Sequence, residues 1–202
     1  MKSFSFIACI FVLTISAWAS GTDDLLQYDD GIADWFTFEG EYRGTWFNLE
    51  DFYPSLDATG FVLNYAEVWF FHVMNSNQEW DTSDFIGEIT DGTPYSTGTI
   101  FAHDTGTAAH LSPSYIYPIA PCTTSMNFTV TEIPQFSRIG APSIASDISP
   151  AAKPRSFTVT TPGVIDFWQY DFLIRVNGYP VPPVEFSRTT WASLKATFDC
   201  IR

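Results

Sequence analysis

Apolar side chains recur along this chain at every second position or in short unbroken runs, and no long stretch shows the three- and four-residue spacing of an amphipathic helix. Residues 61–73 (FVLNYAEVWFFHV) mix alternation with an apolar run, which predicts a central sandwich strand. Residues 84–89 and 99–103 predict two more strands, the first closed by the turn Asp91-Gly92-Thr93-Pro94. Asp104-Thr105-Gly106 then reads as the hairpin turn after the second. Further strands are expected at 114–117, 125–132, 156–160, 170–176 and 196–201. The strand over 170–176 runs into Asn177-Gly178, a turn signal, and Pro180, Pro182 and Pro183 predict an irregular connection. Eight or more short strands at this spacing describe an all-β, antiparallel β-sandwich. No linker-like stretch and no internal repeat divides residues 20–202, which read as a single domain.

The first nineteen residues stand apart. Lys2 precedes a mostly apolar stretch in MKSFSFIACIFVLTISAWA, and Ala17-Trp18-Ala19 fits the small-x-small rule for signal cleavage. The apolar run is short for a bilayer span, which needs roughly 20 residues. The expectation is export with residues 1–19 removed, to an extracellular, periplasmic or cell-surface location, and no membrane insertion afterwards. Cys122 and Cys200 would then form one disulfide. Its long loop gives a chain-entropy stabilisation of about 4 kcal/mol.

Charge is unevenly spread. Residues 20–104 hold 17 Asp and Glu against one base, Arg43, whereas residues 105–202 hold six acids and seven bases. The acidic half repels phosphates and so argues against nucleic acid and anionic membranes. It is compatible with calcium, which takes oxygen ligands, and equally with a surface kept soluble by carboxylates.

Candidate chemistry is sparse. Asp104-Thr105-Gly106 carries the tripeptide of aspartic proteases, whose mechanism needs two facing carboxylates that share a proton. No second Asp-Thr/Ser-Gly exists in the chain, and the residues before Asp104 are Ala102-His103, so a turn is the preferred reading. His103, Asp104 and His110 fit no common zinc spacing. Tyr28-Asp29-Asp30-Gly31-Ile32-Ala33-Asp34 brings three carboxylates close in sequence. Asp29, Asp30 and Asp34 are therefore the candidate metal ligands, although the spacing is not that of an EF-hand and an Asx-type turn is the stronger reading. Trp35, Trp46, Trp80 and Trp168 lie near strand ends or loops and are the candidate ligand-binding rings, with Tyr115 and Tyr117 beside prolines.

Several stretches taken together resemble a group of secreted bacterial jelly-roll-like β-sandwich domains. The resemblance rests on Leu26-Gln27-Tyr28-Asp29-Asp30-Gly31 followed by Trp35, and on Phe85-Ile86-Gly87-Glu88-Ile89-Thr90-Asp91-Gly92-Thr93-Pro94. It also rests on residues 139–147 with Arg155-Ser156-Phe157, and on Asp171-Phe172-Leu173-Ile174-Arg175-Val176. It implies a jelly-roll-like, non-catalytic module attached to exported or cell-surface proteins, and it carries over no catalytic residue. The Cys122/Cys200 pair departs from that group. The functional expectation is a non-enzymatic, exported binding or surface-associated module for a glycan or an extracellular protein, with no required cofactor and calcium as a candidate stabilising ion. The alternatives are a secreted acid hydrolase using Asp104 or a carboxylate pair, and a structural component of a surface layer.

Overall fold

A computed structural model of the chain describes residues 23–37, 41–54, 58–72, 83–94, 96–134, 142–161 and 163–182. Thirteen strands run through them in order: β1 (Asp24–Leu26), β2 (Trp35–Thr37), β3 (Tyr42–Asn48), β4 (Gly60–Trp69), β5 (Asp84–Asp91), β6 (Ile100–Thr107), β7 (Pro113–Ile116), β8 (Cys122–Thr124), β9 (Asn127–Pro134), β10 (Ile144–Ser146), β11 (Ser156–Thr161), β12 (Val164–Phe167) and β13 (Ile174–Val181). One short 3-10 turn, Leu49–Asp51, follows β3, capped by Asn48, whose side chain accepts the Glu50 N–H. No helix among the described residues is long and apolar enough to cross a membrane.

The strands form two antiparallel sheets and a small β10–β2 pair. One sheet has the order β1-β13-β4-β7, with β8 also on β4; the other has the order β12-β11-β3-β9-β5-β6. Period-two alternation puts one apolar row of each sheet into a common core. Phe61, Leu63, Ala66, Val68, Ile174 and Val176 come from the first sheet, and Phe47, Phe85, Ile89, Phe128 and Val130 from the second. Ring contacts cross between them: Phe61 to Phe128 at 6.3 Å and Phe70 to Phe85 at 4.8 Å. The all-β sandwich expected from the alternation is the fold.

Two expected turns are strand instead. Asp104-Thr105-Gly106 is not a hairpin turn but lies inside β6, paired with Gly87, Ile86 and Phe85 respectively. Gly106 is there for space: a Cβ would sit 2.5 Å from the Phe85 ring. Asn177-Gly178 is likewise a bulge within β13, and Pro180 stays in the strand opposite Phe61. Gly178 lets the backbone approach β4, where a Cβ would fall 2.0 Å from the Val62 carbonyl oxygen. In both places glycine answers to packing across the sheet, whereas a sequence reader sees only its turn propensity. The turn at Asp91-Gly92-Thr93-Pro94 does form, with Gly92 at φ +96°. His72 falls just past the end of β4.

Cys122 opens β8 and is partly buried, and burial together with Asp91 raises its thiol pKa. Cys200, the strand expected at 196–201 and the leader expected at 1–19 lie outside the described residues.

Inside the core, the lone base of the acidic half is fully buried. Arg43 faces Glu132 across β3 and β9, with Nη2 2.6 Å from Oε2 and both side chains shielded from solvent. Arg43 Nη1 donates to the Thr37 carbonyl at 3.2 Å. Burial pushes Glu132 up to about 7 against the pull of Arg43. A pair of this kind is a constraint on the fold more than a source of stability, because desolvating both charges offsets much of their attraction.

The strand placement of Asp104-Thr105-Gly106 predicts that Gly106→Ala destabilises by about 1–3 kcal/mol in urea unfolding, as overpacking does. Combining it with Phe85→Leu should cost less than the sum of the two changes. Strict additivity would contradict the packing of Phe85 on Gly106.

Candidate functional site

The segments Tyr28–Gly31, Asp147, Arg155-Ser156 and Asp171–Arg175, far apart in sequence, meet in a polar clasp. Asp29 is buried after β1, and its carboxylate receives Arg175 of β13 at 2.7 Å from Nη2 and 3.2 Å from Nε. The same carboxylate caps its own turn, accepting the Gly31 N–H at 2.9 Å, with Gly31 at φ +90°. Asp30 repeats the Asx turn with the Ile32 N–H and receives the Ser149 hydroxyl at 2.7 Å. Asp147 then accepts two backbone N–H groups, from Asp30 at 3.2 Å and Asp171 at 3.1 Å. Ser156 Oγ accepts the Phe172 N–H at 2.8 Å. Beside them, Asp51 receives the Tyr28 hydroxyl at 2.8 Å, Arg155 at 2.8 Å and the Lys153 ammonium. The Arg155 guanidinium in turn lies 4.1 Å over the Trp46 ring.

Electrostatics divides these carboxylates into two sets. The Ser149 hydroxyl and the Ile32 N–H hold Asp30 below the ordinary carboxyl range. Burial opposes ionisation of Asp51, but Lys153, Tyr28 and Arg155 outweigh it and lower its pKa. Asp147 is raised by burial despite its two N–H donors. Asp171 is pushed up to about 7 by burial and by the charges of Asp147 and Asp29. Its Oδ1 is buried and has no hydrogen-bond partner among the described residues. Burial alone would lower the Arg175 pKa, and Asp29 and Glu67 more than reverse this.

A second arrangement lies on the outer face of the six-stranded sheet. One row crosses every strand of it: Phe167, Phe157, Gly44, Thr131, Glu88 and His103. Gly44 lets its neighbours close in at the middle of that row, since a Cβ there would meet the Thr131 methyl at 2.7 Å and the Phe157 ring at 2.9 Å. Over this face runs a groove of about 410 Å³. Thr129, Thr131, Phe157 and Val159 make its floor, and Glu41 and Tyr42 face Glu88, Thr90, Thr93 and Pro94 across it. Glu88 is held upright, accepting the Thr90 hydroxyl at 3.0 Å and pairing with His103 Nδ1 at 2.8 Å. Among the described residues no lysine or arginine lines the groove. It offers hydroxyls, carboxylates and two aromatic rings, which suits an uncharged polyhydroxylated ligand.

The residues singled out from sequence are distributed differently. Asp29 and Asp30 are brought together but spend their oxygens on protein donors, and Asp34 is exposed. Among the described residues no group of three His, Cys, Asp or Glu side chains is arranged to hold a metal ion. Trp46 lies on the grooved face opposite Thr129, but its ring is covered by Arg155 and its Nε1 donates to Asn127. Trp168 stacks on Phe172, and Trp35 is half exposed beside Phe36. Trp80 lies outside the described residues. Asp104 is exposed and accepts the next backbone N–H, from Thr105. Tyr42, Thr129 and Thr131 escaped attention in the sequence. Their signal was the outward half of the alternation, polar threonines interleaved with Phe128 and Val130. No protein-family model matches the chain, and no curated protein matches it.

The clasp sets a pH dependence. Because Asp147 and Asp171 are raised, the folded chain binds more protons than the unfolded one between about pH 4 and 7, so stability falls as pH rises through that window. Asp30 and Asp51, being lowered, stabilise the fold above the ordinary carboxyl range and lose that contribution as pH falls through their depressed values. The melting temperature should therefore peak near pH 4–5. Asp171→Asn should flatten the fall towards pH 7 by about 1–2 kcal/mol. A midpoint that climbs steadily to pH 7 would contradict this assignment.

Proposed function

We propose that this chain is a non-enzymatic, exported binding module whose groove on the six-stranded sheet takes a neutral glycan. The groove itself carries the reading: a concave, preformed surface of threonine hydroxyls and glutamates, with Tyr42 at the rim and Phe157 in the floor. A pyranose ring lays its apolar face on an aromatic ring and directs its hydroxyls to such polar neighbours. Glu41 and Glu88, with no lysine or arginine beside them among the described lining residues, favour uncharged sugars over uronates and sulfated chains. Export with removal of residues 1–19 belongs to the same proposal and rests on the sequence, whereas the expected Cys122–Cys200 disulfide does not, since Cys122 is a free thiol in the structure.

Affinity electrophoresis against neutral polysaccharides tests it. Retardation should weaken by about tenfold in Kd for Tyr42→Ala, a loss of ~1.4 kcal/mol. Trp35→Ala, which removes an exposed ring outside the groove, should leave it unchanged. The reading fails if no neutral polysaccharide retards the protein, or if both substitutions weaken retardation equally.

A further inference from the structure

The outer face of the other sheet carries a different chemistry, independent of the groove. Tyr65 of β4 and Tyr115 of β7 meet edge to face, with ring centroids 5.2 Å apart and planes at 86°. Tyr117 closes the group at 6.2 Å from each, tilted by 58° and 32°. Tyr115 and Tyr117 are 46% and 62% exposed, and Leu25 and Tyr179 are also exposed. Rings crossed at a right angle form a corner, whereas stacking on a sugar needs a flat platform. An exposed aromatic face attracts a cation, and Tyr115 and Tyr117 are the exposed rings of this group.

The surroundings carry the same sign. Glu67 lies directly opposite Tyr115 across β4 and β7. Among the described residues the cation of this face is Arg175, which is already matched by Asp29 at 2.7 Å and Glu67 at 3.5 Å, and whose guanidinium lies 5.3 Å from the Trp69 ring centroid. That leaves one carboxylate in excess around Arg175. Asp23 is exposed, and its charge reaches Tyr65 along with that of Glu67. The tyrosine corner thus lies in a negative field, and Arg175, its neighbouring base among the described residues, is neutralised.

We infer that this corner is a docking surface for a basic polypeptide segment, with a lysine or arginine side chain seated against Tyr65, Tyr115 and Tyr117. Charge complementarity selects the occupant: polyanions are repelled, and an uncharged partner gains nothing from Glu67 and Asp23. The openness of the site favours a side chain on a longer segment over a small free cation, because adjacent basic residues of the segment also meet the acidic surface.

Fluorescence anisotropy with a labelled oligolysine peptide at low ionic strength tests the inference. The chain is acidic throughout its first half, so plain attraction to a polycation is the rival, and uncharged substitutions separate the two. Tyr115→Ala with Tyr117→Ala should weaken binding by about fivefold or more while net charge is unchanged. Tyr115→Phe with Tyr117→Phe keeps the ring faces and should bind within about twofold of the parent. Equal binding by the alanine pair would reduce the effect to general acidity and overturn the inference. Loss of binding in the phenylalanine pair would place the recognition in the hydroxyls and overturn it as well.

Discussion

A buried carboxylate cannot remain charged without a partner, and Asp29 meets that requirement with Arg175. The two lie 146 residues apart, one just after the first strand and the other in the last described strand. Pairing of β1 with β13 places them near one another, and the ion pair then fixes the path of the chain leaving β1. From Asp29 the constraint spreads through backbone groups. Asp30 turns toward Ser149 and Asp147, and Asp147 holds the N–H of Asp171 at the entry to β13. Loops that would otherwise leave polar backbone groups unsatisfied are tied to one another by carboxylates.

This arrangement separates structure from surface. The acidic residues nearest in sequence are consumed by the clasp, and the two sheets are left with open outer faces of different character. On the six-stranded sheet, outward threonines together with Tyr42, Phe157 and Glu88 line a groove. On the other, the clasp reaches through Arg175 to Glu67 and so sets the charge beside the tyrosine corner. The same salt bridge that holds the turn after β1 therefore also neutralises Arg175, the base near that corner among the described residues.

The strands were legible in the sequence because a half-buried strand alternates, and the alternation is clean in β5 and β13. What escaped was whatever depends on a partner distant in sequence. Gly106 and Gly178 look like turn residues locally, yet each is a gap filled by a phenylalanine ring or a backbone oxygen from a neighbouring strand. Arg43 stands out as the lone base in an acidic half, but only the register of β3 with β9 shows that it is buried against Glu132. The Asp29-Asp30 cluster was visible as a density of charge. Its partners, an arginine, a serine hydroxyl and backbone N–H groups, carry no spacing signal. The tryptophans were misleading in the same way, since nothing in the sequence places Arg155 over Trp46 or Trp168 on Phe172.

A double-mutant cycle on Asp29 and Arg175 tests the dependence most directly. Urea unfolding of the parent, Asp29→Asn, Arg175→Met and the double variant gives the coupling between the two side chains. If the pair organises the clasp, each single change leaves a buried charge or its donors unpaired, and the coupling should be about 2 kcal/mol or more. Additivity to within about 0.5 kcal/mol would show that the two groups do not depend on one another, and the account of the fold built on them would be wrong.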